Sequence, residues 1–104
     1  MIATAFFTGV VVNDLDLIAR EDEGRTLSIL LKVQKPNRTP KFFYIEAYNA
    51  EALQFKQEVS RGDFVAITAE PYSSLKEDVI KNKEQYVQGY KVAFFEVLKR
   101  GDMK

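Results

Sequence analysis

One short stretch interrupts an otherwise strand-like pattern in these 104 residues, and its position narrows the folds open to the chain. After Asn49 the apolar residues Ala52, Phe55 and Val59 recur at i, i+3 and i+7, the spacing of one helical face. Asn49 is a good residue to cap the first turn, and Gly62 suits the helix end. Strands flank it. In residues 41–48 (KFFYIEAY), Phe43, Ile45 and Ala47 share one face, while Phe42, Tyr44, Glu46 and Tyr48 share the other. Residues 63–70 (DFVAITAE) set Phe64, Ala66 and Thr68 opposite Val65, Ile67 and Ala69. Pro71 is expected to stop that strand or to put it on a sheet edge.

The remaining strands are short and regularly spaced. Residues 4–12 (TAFFTGVVV) are β-branched and aromatic, with Gly9 in the middle, where a bulge or bend lets a strand serve two sheet edges. A turn at Asn13-Asp14, a brief extended piece over residues 15–18 and a polar tip over 19–24 follow. Residues 25–34 (RTLSILLKVQ) alternate cleanly, with Leu27, Ile29, Leu31 and Val33 against Ser28, Leu30, Lys32 and Gln34. KPNRTP is a loop by its prolines. Residues 72–85 read as a polar arm, hairpin-like or mobile, and 86–98 as the last strand, strongest from Tyr90. Its alternation puts Val92 and Phe94 opposite Ala93, Phe95 and Val97, so both faces are apolar and a subunit contact is expected. Three strands, one helix and two strands make an all-β, five-stranded Greek-key barrel with the helix between strands 3 and 4, the OB-fold pattern. The chain reads as one domain, residues 1–104, with a core over about 3–98 and a frayed end over 99–104.

The outer face of the 41–48 strand is unusual. An antiparallel strand packed on one side normally turns polar groups to water on the other. Here Phe42, Tyr44 and Tyr48 need cover from a subunit, another part of the chain, or something flat, such as a nucleic-acid base. Lys plus Arg and Asp plus Glu are 15 each, so total charge points to no partner. The distribution does. Residues 1–24 hold one cation against five acids, whereas 25–45 hold Arg25, Lys32, Lys35, Arg38 and Lys41 and no acid. That is a local basic strip of the kind an anionic strand meets.

With no Cys and no His, disulfides, thiolate nucleophiles, Cys/His zinc sites and His-based acid–base catalysis are all excluded. Asp14 with Asp16, and Glu21-Asp22-Glu23, are carboxylate clusters that resemble Mg²⁺ ligands only in type. Each falls in a turn, and no nucleophile–base pair or glycine-rich phosphate loop accompanies it. No catalytic residue, metal or cofactor is expected, and the chain does not read as an enzyme. Apolar runs are short and the start has no basic segment, so neither a signal peptide nor a membrane span is expected, and a cytoplasmic location follows by default.

Over roughly residues 5–98 the sequence resembles the bacterial single-stranded DNA-binding protein (SSB) family. FFTGVVVNDLDL is similar to the family's opening strand, glycine and acidic turn, and GRTLSILLKV to its second strand. FFYIEAYNAEALQFKQEVSRGDFVAITAEPY is similar to its aromatic-led strand, helix and following strand, and QYVQGYKV to the start of its last strand. The resemblance implies a homo-oligomer of OB barrels, a tetramer favoured over a dimer, that binds single-stranded DNA in replication, recombination and repair. Phe42 stands where the family has a stacking tryptophan, Tyr48 where it has a stacking phenylalanine, and Tyr44 where a cation is common. Tyr72 opens the arm where the family carries a basic run and a second tryptophan. Trp is absent throughout, and the family's acidic recruitment tail for replication enzymes is not expected here, which also resembles the tail-less, dimeric PriB-type relatives. The expected binding residues are Phe42, Tyr44, Tyr48 and Tyr72 for bases, with Lys32, Lys35, Arg38, Lys41, Lys76, Lys81, Lys83 and Lys91 for phosphates. The alternative is an OB-fold module that contacts protein and has weak or no affinity for nucleic acid.

Overall fold

The computed structural model describes residues 4–19, 24–78 and 83–101, with 72–78 and 83–88 described by their backbone. Its elements are β1 (Ala5–Val11), β2 (Leu17–Ala19), β3 (Arg25–Val33), β4 (Lys41–Tyr48), α1 (Asn49–Glu58), β5 (Phe64–Asp78) and β6 (Lys83–Lys99). The sheet runs β1-β5-β6-β4-β3-β2, and β1 also pairs with β3. That last pairing closes the five long strands into a barrel. All pairings are antiparallel except β4 with β6, which meet in parallel at Glu46 and Lys91. This is the expected OB-fold, and counting the short β2 puts the helix between β4 and β5.

Side-chain alternation builds the core. Leu27, Ile29 and Leu31 of β3, Ile45 and Ala47 of β4, and Val65, Ile67 and Ala69 of β5 are buried together with Ala52, Phe55 and Val59 from the helix and its end. The helical stripe therefore seals one end of the barrel, and the Phe55 ring meets Phe95 at 4.7 Å between centroids. Closure depends on β1 changing partners. Ala5 to Val10 pair with β5, and Val10 and Val11 pair with β3. Gly9 stands at that crossing, where a Cβ would lie 2.5 Å from the Lys32 carbonyl oxygen, so only glycine lets the two backbones approach. Past the strand end, Asn13 takes over as a surrogate partner for β3. Its Nδ2 donates to the Ser28 carbonyl at 2.8 Å, and its Oδ1 accepts from the Leu30 N–H at 2.9 Å.

Three expectations change. Asn49 does not cap α1; it adopts φ 53°, and its Oδ1 accepts from the Arg25 N–H at 3.1 Å, so the side chain ties the helix start to β3. Gly62 lies in the turn into β5 rather than at the helix end, with φ 98° and its N–H donating to the Val11 carbonyl at 2.8 Å. Of the two expectations for Pro71, the sheet edge holds: β5 continues through it to Asp78, paired with β6. The β1 partner ends at Ala69, so Pro71 falls where β6 is the one pairing neighbour among the described residues, and a missing donor is tolerated there. In β6 a register shift opposite Thr68 and Ala69 breaks the alternation. Val92 is buried while Phe94 is exposed, so the two do not share a face.

The end expected to fray over 99–104 is ordered through residue 101, and 102–104 lie outside the described residues. Lys99 ends β6, and the next two residues are held by Asp63, whose relative exposure is 2%. Its carboxylate accepts from the Ser60 N–H at 2.9 Å, the Gly101 N–H at 2.7 Å and the Arg100 guanidinium at 3.0 Å. Arg100 also donates to the Glu58 carbonyl. Burial pushes the Asp63 carboxyl up, but the Gly101 and Ser60 amides and the Arg100 charge outweigh it and hold the group below its usual 3.8.

Candidate nucleic-acid interface

The β3–β4 register decides what stands beside each outward ring. Lys32 lies opposite Phe42, Leu30 opposite Tyr44, Ser28 opposite Glu46 and Thr26 opposite Tyr48. Phe42 and Tyr44 are 55% and 59% exposed, which is high for rings on a strand facing away from its core. Beneath them β4 is anchored by the inward Phe43, whose ring meets Phe7 at 4.9 Å, and Phe7 meets Tyr90 at 5.0 Å. Two open rings thus stand on a fixed base.

Tyr48 differs from the other two. It is half-buried, its hydroxyl donates to Glu46 Oε2 at 3.2 Å, and the Lys91 ammonium sits 5.8 Å from its ring centroid. A cation over the ring face gains from the ring quadrupole and occupies the surface a base would need. The three expected stacking rings are therefore two open platforms and one engaged ring. Lys91 is brought to this end of β4 by the parallel β4–β6 contact.

At the other end of β4 the basic strip takes shape. The loop between β3 and β4 turns on an Arg38 N–H to Lys35 carbonyl bond of 3.3 Å, with Asn37 at φ 58°. Lys35, Arg38 and Lys41, with Val33 and Thr39, then line a small concavity of about 40 Å³. Three cations converging on a recess of that size suit the outer oxygens of a phosphate. Lys32 thus stands opposite Phe42, and the recess of Lys35, Arg38 and Lys41 lies at the same end of β4. Tyr72, Lys76 and Lys83 lie on the β5–β6 hairpin by their backbone. The side chains of those three, and Lys81 entirely, lie outside the described residues.

Some neighbours on this surface were not singled out from the sequence. Leu30 adds an apolar, half-buried surface beside Tyr44, and Glu46 brings a carboxylate onto the same face. The alternation of β3 and β4 already carried both; their significance emerges only once the two strands are set in register. Away from this face, Phe6 and Phe94 are the most exposed large apolar side chains described, at 69% and 65%, and both pair with Thr68 of β5. Asp14 makes an exposed ion pair with Arg61 at 3.4 Å. Among the described residues no group of three acids is placed to hold a metal ion, and no helix is long and apolar enough to cross a membrane.

No protein-family model matches the chain, and no curated protein matches it. Solved structures do. Two crystal forms of Rim1, the mitochondrial single-stranded DNA-binding protein of S. cerevisiae, superpose with TM-scores of 0.75. They are 14% and 16% identical to this chain, covering 97% of it and 99% and 100% of themselves. The likeness is one of fold. It extends over the whole barrel.

Proposed function

We propose that this protein binds single-stranded DNA without regard to sequence, by stacking bases on aromatic rings and pairing phosphates with Lys and Arg. The observation that carries the reading is the pair Phe42 and Tyr44, both more than half exposed, with Lys32 and the cationic loop at their border. Every base has a flat π-face, so a ring platform holds a strand without reading it, at about 1–3 kcal/mol per stacked base. The fold shared with Rim1 supports the same reading. Coating exposed strands in replication, recombination and repair is the corresponding role.

Titration of labelled oligo-dT tests it. If Lys32, Lys35, Arg38 and Lys41 neutralise four phosphates, log affinity falls with log salt at a slope of about −2.8, or about fiftyfold between 50 and 200 mM. No binding at micromolar protein in low salt would end the proposal.

Phe6 and Phe94 favour a protein contact in addition, and we assign them to self-association. On its side away from β5, β1 pairs with β3 only at Val10 and Val11, so its first residues have no second strand neighbour among the described residues. An open strand edge and an exposed apolar face are two separate self-complementary surfaces, and two such two-fold contacts build a tetramer. Light scattering should report four subunits for the wild-type protein and fewer for the double variant Phe6→Glu, Phe94→Glu. A monomeric wild type would refute this assignment and leave DNA binding standing.

A further inference from the structure

Strand register draws a line around one end of the barrel. Phe42 lies opposite Lys32, Lys32 opposite Val10, Val10 opposite Phe64, and Phe64 opposite Lys99. At about 4.8 Å between neighbouring strands, the four steps span roughly 19 Å. The row begins and ends with a ring beside a cation. Between them runs an open groove of about 410 Å³, floored by Val10 and Val12 and walled by Lys32, Lys35 and Phe64. No carboxylate is among the residues that line it. Phe64 is 37% exposed, which leaves part of its ring open to a ligand.

We propose that this groove is a second nucleotide-binding segment, continuous with the Phe42–Tyr44 platform. A single strand leaving that platform crosses the barrel end above Lys32 and stacks a further base on Phe64, with Lys35 and Lys99 holding its phosphates. The ligand class follows from the lining. An apolar floor with a ring at its far side takes a base, and ammonium groups with no acid between them take the phosphodiester chain. Phe64 belongs to this segment and not to the Phe6–Phe94 face. It lies four residues from Thr68 along β5, roughly 13 Å away, and the intervening Ala66 is paired with Glu96. The row of Glu96 separates an uncharged aromatic face from a basic one.

This inference rests on the proposed DNA binding, and a length series separates the two. Binding of dT6 and dT20 is measured for the wild type, Phe64→Ala and Lys99→Gln, with subunit number from light scattering. Phe64→Ala should bind dT6 within about twofold of wild type and dT20 about tenfold more weakly, the loss of one stacked base. Lys99→Gln, at an exposed position where folding is not at stake, should flatten the salt slope for dT20 by about 0.7 and leave that for dT6 alone. Wild-type binding of dT20 by both variants would overturn the second segment while the platform survives. So would a Phe64→Ala protein whose subunit number changes and whose affinity does not. A wild-type protein that binds neither oligonucleotide would remove the proposed function itself.

Discussion

Replacing Phe42 and Tyr44 together with alanine is expected to weaken single-strand binding about a hundredfold. Each ring stacks one base at about 1–3 kcal/mol, so removing two costs on the order of 3 kcal/mol, and 1.4 kcal/mol is a factor of ten. Folding should barely register the change. Both side chains are more than half exposed and β4 is held from below by Phe43, Phe7 and Tyr90, so a melting temperature within about 4 °C of wild type is expected. Oligo-dT titration and a thermal melt on the same preparation check both halves. If affinity is kept while the subunit number or solubility falls, the rings form a protein contact and the alternative reading of a protein-interaction module takes over.

Asp63→Ala is expected to produce the largest loss of stability. The substitution removes an acceptor that satisfies two backbone amides and a guanidinium in a nearly closed site. Hydrogen bonds to a charged group contribute about 1.5–3 kcal/mol each, and stranded donors add a desolvation penalty, so a loss on the order of 3 kcal/mol follows. For a chain of this size that lowers the melting temperature by on the order of 15 °C. The same group sets an acid limit. Its folded-state pKa lies below the 3.8 of the unfolded chain, so the carboxylate's contribution is complete above about pH 4. It disappears as pH falls through the lowered value. Melts from pH 7 down to about 2.5 should show wild type losing stability over that acid range more steeply than Asp63→Asn, which has no such charge to lose. Parallel curves for the two proteins would remove Asp63 from the account.

Periodicity made most of this barrel legible in the sequence. The buried faces of β3, β4 and β5, the sealing stripe on α1 and the bend at Gly9 each follow from spacing that a reader can check residue by residue. What failed shares one physical cause: partners distant in sequence override local preference. Asn49 is an excellent capping residue, yet its side chain is recruited by Arg25 across the sheet. In β6 a single bulge separates Val92 from Phe94, and no alternation rule foresees where an extra residue will be inserted. The candidate interface divided in the same way. That Phe42, Tyr44 and Tyr48 share a face was readable from β4 alone. That Tyr48 is taken up by Glu46 and Lys91 depended on β6 arriving in parallel from 45 residues away.

The clasp at Asp63 carries a consequence for biosynthesis. Two of its three donors come from residues 100 and 101, and the parallel contact between β4 and β6 joins residues 46 and 91. A nascent chain can zip β3 onto β4 as a local hairpin, but β5 and then β6 gain their places only once residues 64–101 have left the ribosome. Until then the strands that will line the interior are greasy, unpaired ribbons, and the interval between synthesis and closure is when this protein is most exposed to aggregation.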